Sequence, residues 1–242
     1  MNARFAVIVP AFREERLVRR TLESVPDWVD HIVVVDDASS DRTALEVRRA
    51  AEADPRIHLT RLAYNRGVGG AITHGYRVAR ALGCDIAAIM AGDAQMDPAD
   101  LERVVEPVRT GRVDYVKGNR LAHPEANAMP VVRRTGTRIL ALATTFIAGI
   151  SPLDDMQCGY TALNLDVLAR LPMRRIFSRY GYPNDLMLRL AEAGARVEEV
   201  VVRPVYADEV SGFAAPDVVI PISSILARGL ARRVVNGARR AA

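Results

Sequence analysis

The stretch IAAIMAGDAQMDP, residues 86–98, is apolar and uncharged up to a small pair, Ala91-Gly92, and then delivers one carboxylate, Asp93, with a second, Asp97, just beyond. Two other apolar runs end in the same way. VIVPAFREE carries Pro10, Phe12 and Glu14 past its end, and VVVDDASSDRT carries Asp36 and Asp37 into a Ser/Asp/Thr cluster. Within that cluster Asp41 and Thr43 read as helix caps. Capping accounts less well for Asp37 and Asp93, because carboxylates brought to one rim repel unless a cation or a hydrogen-bonding ligand offsets them. Asp37 and Asp93 are therefore candidate binding groups.

The elements that must position them follow from periodicity. FAVIV (5–9), HIVVV (31–35), IHLTRL (57–62) and IAAIM (86–90) are short, mostly apolar and rich in β-branched residues, the pattern of strands buried on both faces. Helical spacing separates them: Val18, Leu22, Val25; then Val68, Ile72, Tyr76, Ala79; then Leu101, Val104, Val105, Val108 behind an Asp97-Pro98 start that reads as an N-cap with proline at N1. Strand and helix alternate four times, which predicts a mostly parallel α/β sheet flanked by helices. In such sheets ligands bind beyond the carboxyl ends of the strands, where Glu14, Asp37 and Asp93 fall. NRGVGGAITHG is glycine-rich, but a G-x-G-x-x-G frame puts Ile72 at its last glycine and follows the third strand, so it is no dinucleotide fingerprint. It is expected to form a tight turn whose amides face the ligand, ahead of a helix.

Composition narrows the function. The 242 residues, half of them hydrophobic and 26% charged, suit one globular domain. A net charge of +4, carried almost wholly by arginine, suits phosphates or anionic lipid headgroups better than nucleic acid, and the few aromatics form no base-stacking surface. Cys84 and Cys158 stand apart with no CxxC or His/Cys cluster, which argues against a zinc site or disulfide framework and for a cytoplasmic setting. The N-terminal segment does not read as a signal peptide. The longest uncharged apolar run, 139–153, is shorter than the roughly 20 residues that span a bilayer. Any membrane contact is expected to be peripheral.

VIVPAFREE, VVVDDASSDRT, NRGVGGA, GDAQMDP and KGNR, in this order and spacing, resemble the nucleotide-sugar-binding half of family-2 glycosyltransferases with a GT-A fold, most closely the dolichol-phosphate-mannose-synthase-like branch. The resemblance is strong over about residues 4–120. It implies that Pro10, Phe12, Glu14 and Asp37 hold the base and ribose of a nucleotide-sugar donor. It implies that Asp93 is the catalytic metal ligand of an Asp-x-Asp signature, binding Mg²⁺ or Mn²⁺, with Gln95 and Arg120 near the diphosphate and sugar. The first Asp of that signature is Ala91 here. Asp97 is a partial substitute by position, or a cap.

Residues about 121–215 resemble the family's acceptor half less specifically, and PND places Asp185 where relatives carry a catalytic general base. A helix cap at Asn184 or Asp185 is the plain alternative. The run 139–153 lies between Arg133, Arg134, Arg138 and Arg174, Arg175, Arg179, and the basic amphipathic segment 216–242 mixes Ile222, Ile225, Leu226 and Leu230 with Arg228, Arg232, Arg233, Arg239 and Arg240. Such surfaces suit a peripheral membrane contact, although a core helix with a solvated basic face has the same pattern. The resulting expectation is a single GT-A domain that transfers a hexose from a GDP- or UDP-sugar to a polyprenyl or dolichyl phosphate, with inversion. Transfer to a hydroxyl with Asp185 as base is the alternative, and a non-catalytic nucleotide-binding protein, motivated by Ala91, is the second.

Overall fold

A computed structural model describes residues 3–205 and 215–241, with side chains undescribed at 128, 215–219 and 236–241. Residues 206–214, within the segment expected as the acceptor half, and the side chains of Arg239 and Arg240 thus lie outside the described residues. The first half runs β1 (Phe5–Ala11), α1 (Val18–Ser24), β2 (His31–Asp36), α2 (Thr43–Ala53), β3 (Ile57–Arg61), α3 (Val68–Ala81), β4 (Ile86–Ile89) and α4 (Leu101–Arg109). The second half runs β5 (Tyr115–Asn119), α5 (Val131–Ala148), β6 (Thr161–Asn164), α6 (Tyr182–Glu192), β7 (Val197–Val201) and α7 (Ala215–Ala241).

The strands form one sheet in the order β3-β2-β1-β4-β6-β5-β7. β6 runs antiparallel to both β4 and β5, and the other pairings are parallel. Alternate residues of each strand enter opposite cores, as a period of two requires. Ile8 and Val33 pack with Tyr76 of α3 and Leu186 of α6 on one face. Val7 and Val34 pack with Val47 of α2 and Val104 of α4 on the other. The central strands are buried on both sides, which is why they read as apolar runs rather than alternating ones.

β1 lies between β2, reached through α1, and β4, reached on its other side, so the chain reverses direction across the sheet at β1. The loops that leave β1 and β4 stay side by side, the Gly92 N–H donating to the Pro10 carbonyl at 3.2 Å, and a cleft lies beside them at the carboxyl edge. Asp97 caps as expected: its Oδ1 accepts the Ala99 N–H at 3.0 Å, and Pro98 begins a short 3₁₀ turn that leads into α4.

Candidate active site

Three loops at this edge are held by side chains from neighbouring elements. After β1 the backbone turns through Arg13 in the left-handed region (φ 61°). The turn is fixed by the Arg13 N–H on Ser39 Oγ (3.0 Å) and the Glu14 N–H on Thr43 Oγ1 (2.8 Å). Asp41 accepts from both the amide and the hydroxyl of Thr43. The cap position of α2 is Arg42, with no side-chain cap hydrogen bond, and the Asp41–Thr43 pair expected there instead fastens the loop that presents Phe12 and Glu14. After β4, Thr21 of α1 staples the Asp93 loop, accepting the Ala94 N–H and donating to the Ala91 carbonyl. Asp93 Oδ1 accepts the Gln95 N–H at 3.0 Å, and Ala94 takes a left-handed conformation (φ 55°).

The two acidic residues after β2 have different fates. Asp36 is fully buried and ion-paired with Arg61 (3.1 Å). Asp37 is also nearly buried, and its two oxygens accept the N–H groups of Arg66 and Gly67, each at 2.7 Å. Both hydrogen bonds pin the glycine-rich turn to β2, and each oxygen keeps a second lone pair.

Pro10, Phe12, Glu14, Asp37 and Asp93 line one cleft of about 380 Å³. Gln95 and Arg120 are not among its lining residues. Arg179 and Tyr180, from the segment before α6, are. By spacing alone Arg179 groups with Arg174 and Arg175; the fold parts it from them. A Cβ on Gly67 (φ 79°) would stand 2.7 Å from the Ser178 carbonyl and 2.8 Å from Arg179 Cγ, and one on Gly69 would stand 2.6 Å from the Phe177 carbonyl. The Gly70 N–H donates to Ser178 O at 3.0 Å. These glycines let residues 177–179 lie directly on the start of α3, so the turn faces another chain segment as well as the cleft.

Arg120 instead makes a two-pronged ion pair with Asp155, Nε to Oδ2 at 2.8 Å and Nη2 to Oδ1 at 3.0 Å. Burial works to raise the Asp155 pKa, but the hydrogen bonds and charge of Arg120, with Lys117 nearby, hold it below the usual carboxylate value. Lys117 is enclosed at the same edge, donates Nζ to the Cys158 carbonyl, and has its pKa lowered by burial. Glu199 of β7 accepts from the Asp154 and Asp155 amides and from Asn119 Nδ2, and burial raises its pKa. No motif spacing links these residues, so only Lys117 and Arg120 within KGNR are visible in sequence.

Asp185, expected as a general base, is not among the cleft residues. It is 4% exposed, and its Oδ2 accepts the Phe177 N–H (2.8 Å) and Arg189 Nε (2.9 Å). A carboxylate held this way ties the segment before α6 to its first turn, and it is not the cap: Gly181 holds that position, with no side-chain cap hydrogen bond, so neither Asn184 nor Asp185 caps α6. Its neighbour Asn184 bridges Gln157 and Thr144.

The model of glycosyl transferase family 2 matches residues 6–152. The chain belongs to that family. This glycosyltransferase is 32% identical to the undecaprenyl-phosphate mannosyltransferase of Micrococcus luteus over 81% of its own length and 82% of the relative's. It is 26% identical to the UDP-N-acetylglucosamine–dolichyl-phosphate N-acetylglucosaminyltransferase of Methanococcus voltae, over 84% and 86% of the two chains. Its fold matches the crystal structure of glucosyl-3-phosphoglycerate synthase from Mycobacterium tuberculosis in complex with Mn²⁺, uridine diphosphate and phosphoglyceric acid, with a TM-score of 0.69 over 96% of this chain and 78% of that one, at 18% identity.

The donor set of the cleft fits a hard divalent cation only in part. Among the described residues no group of three or more His, Cys, Asp or Glu side chains is placed to hold a metal. Asp97 is used as a cap, lies 3.7 Å from Arg203 and is not among the residues that line the cleft. Asp93 lines the cleft as the carboxylate that follows β4. Mg²⁺-type ions are commonly held by one or two carboxylates, substrate phosphates and water, so the residues fit a cation that arrives with its substrate.

Proposed function

We propose that this glycosyltransferase moves a hexosyl group from a nucleotide diphosphate sugar to the phosphate of a polyprenyl-type lipid, with inversion by direct displacement. The observation that carries the donor side is the convergence of Pro10, Phe12, Glu14, Asp37 and Asp93 on one cleft at the point where the strand order reverses. Phe12 offers a ring face to the base, while Glu14 and Asp37 offer acceptors to ribose hydroxyls. Asp93, with the donor phosphates, would hold Mg²⁺ or Mn²⁺, which neutralises charge on the departing nucleoside diphosphate. In the transfer, the bond from the anomeric carbon to the donor phosphate breaks as the acceptor phosphate oxygen forms the new one. That oxygen is already an anion near neutral pH, so no residue need remove a proton. The pairing of Asp185 with Arg189 and the Phe177 amide is in keeping with a reaction that has no protein base.

The lipid side is supported by the acceptors named in the relatives and by one surface. α5 buries Thr137, Ala141, Thr144 and Thr145 and turns Val132, Ile139, Leu142 and Phe146 outward, beside exposed Arg133 and Arg138. α7 packs against α5 and α6, with Ile222 and Ile225 buried and Gly229 set against Leu188 and Ile147, and exposes Leu230, Val234 and Val235. Arg233 reaches the Phe146 and Ile147 carbonyls at the junction, and Arg232 pairs with Glu192 at 2.6 Å. No helix among the described residues is long and apolar enough to cross a membrane. Apolar side chains outward, with arginines around them, suit a helix pair lying on an anionic lipid surface.

Incubating the protein with GDP- and UDP-hexoses, Mn²⁺ and undecaprenyl phosphate should yield a lipid-linked sugar and free nucleoside diphosphate. Product with a saccharide hydroxyl acceptor and none with the lipid phosphate would overturn the reading. Sedimentation with liposomes should depend on anionic lipid and weaken with salt; equal binding to neutral vesicles would remove the membrane part.

A further inference from the structure

We infer that Arg179 is a specificity residue for the donor, the cation with which the acceptor half of the chain engages the diphosphate. The inference rests on the donor cleft proposed above. That cleft is lined by three carboxylates, Glu14, Asp37 and Asp93, and a nucleotide diphosphate sugar brings further negative charge into it. Among the described lining residues, Arg179 is the one cation.

Three other arginines of this region are already committed. Arg61 pairs with Asp36, Arg120 with Asp155 and Arg189 with Asp185. The guanidinium of Arg179 has no hydrogen-bond or ion-pair partner among the described residues, so its charge is available to a ligand. Its backbone is well placed all the same. The Ser178 carbonyl accepts the Gly70 N–H, and Gly67 and Gly69 leave room for residues 177–179 on the first turn of α3. From the far side, the turn at Gly181 is backed by Ile222 and Ile225 of α7, the latter's Cδ1 lying 2.7 Å from where a Gly181 Cβ would be. The segment is thus held between the glycine-rich turn and α7, with a planar, permanently charged donor group at its cleft side. Guanidinium is the side chain best matched to paired phosphate oxygens.

Ala91 gives Arg179 a specific task. With one carboxylate of the metal signature absent, a metal ion at Asp93 is held by fewer protein ligands, and part of the diphosphate charge falls to Arg179. Diphosphate recognition should therefore persist, weakened, when metal is removed.

Calorimetry on the whole protein, with Mg²⁺ and again with chelator, would compare UDP and GDP against uridine and guanosine in wild type and Arg179→Gln. Arg179→Gln is expected to weaken the diphosphate that binds by about 10–100-fold, as loss of a charge-assisted hydrogen bond does, and to change binding of its nucleoside by less than about twofold. Gly67→Ala, which crowds Arg179 without removing it, should reproduce the loss. Wild-type diphosphate affinity in Arg179→Gln, or equal weakening of nucleoside and diphosphate, would overturn the inference while leaving the donor cleft intact. Failure of wild type to bind either diphosphate would overturn the donor reading, and this inference with it.

Discussion

The two halves of the carboxyl edge use the same residue types to opposite ends. On the donor side Glu14, Asp37 and Asp93 line the cleft, and even the nearly buried Asp37 spends its hydrogen bonds on two backbone amides rather than on a cation. On the β5-β6-β7 side Arg120, Asp155, Lys117 and Glu199 are tied to one another or to backbone within a largely buried network. A carboxylate on the wall of a cleft can be reached by a ligand that neutralises it. A charge paired in a buried site serves the protein's own geometry, and removing one member leaves the other uncompensated. The contrast separates carboxylates that line a cleft from charges committed to one another.

The strongest test removes a member of the paired side. Asp155→Ala removes both prongs of the ion pair with Arg120 and should destabilise the fold by about 3–5 kcal/mol, read in urea unfolding. A loss below about 1 kcal/mol would mean the network is not structural. The matching change on the donor side is Asp93→Asn. It should lower sugar transfer by about 10²–10³-fold, as loss of one transition-state electrostatic contact does, and leave stability within about 0.5 kcal/mol. It should also abolish the tightening of donor binding by Mn²⁺. Wild-type metal dependence in this variant would return Asp93 to the role of a loop residue.

Asp37→Ala sharpens the comparison because Asp37 belongs to both classes. Loss of its acceptor should weaken nucleotide binding by about 1.5–3 kcal/mol with or without metal. The same substitution frees the Arg66 and Gly67 amides, so protease cleavage near the glycine turn should rise in parallel; unchanged nucleotide affinity would assign Asp37 to the turn alone. Asp185→Asn should cost about 1–2 kcal/mol of stability through the weakened bond to Arg189. Transfer to a lipid phosphate should then change by less than about tenfold, whereas a fall of about 10²–10⁴-fold would restore Asp185 as a base.

The smallest effect expected is on the acid limb of stability. The Asp155 pKa in the folded state lies below its ordinary value of 3.8. The group therefore contributes stability that is complete above that value and is lost as pH falls through the lower, folded one. Asp155→Asn should flatten that part of the stability profile, measured as the unfolding midpoint against pH; an unchanged slope would place the acid sensitivity elsewhere.

Much of the donor half is legible in the amino-acid sequence by itself. Strands buried on both faces show as apolar runs, helices as spacings of three and four, and Pro10, Phe12, Glu14, Asp37 and Asp93 follow directly from strand ends, so their arrival at one cleft needs only the parallel topology. Asp97 is legible as a cap for the same reason, since its partner Ala99 is two residues away. What the tertiary structure alone decides depends on contacts between distant segments. Thr21 reaches the Asp93 loop across 70 residues, Arg120 meets Asp155 across 35, and Arg179 lines the cleft because Gly67 and Gly69 make room for residues 177–179. Asp185 stands in the first turn of α6 and not at its cap, and the direction of its buried side chain is set by the groups that pack against it, Arg189 and the Phe177 amide. Local sequence specifies which groups stand at the end of an element; only packing determines whether a group there faces a ligand or another part of the chain.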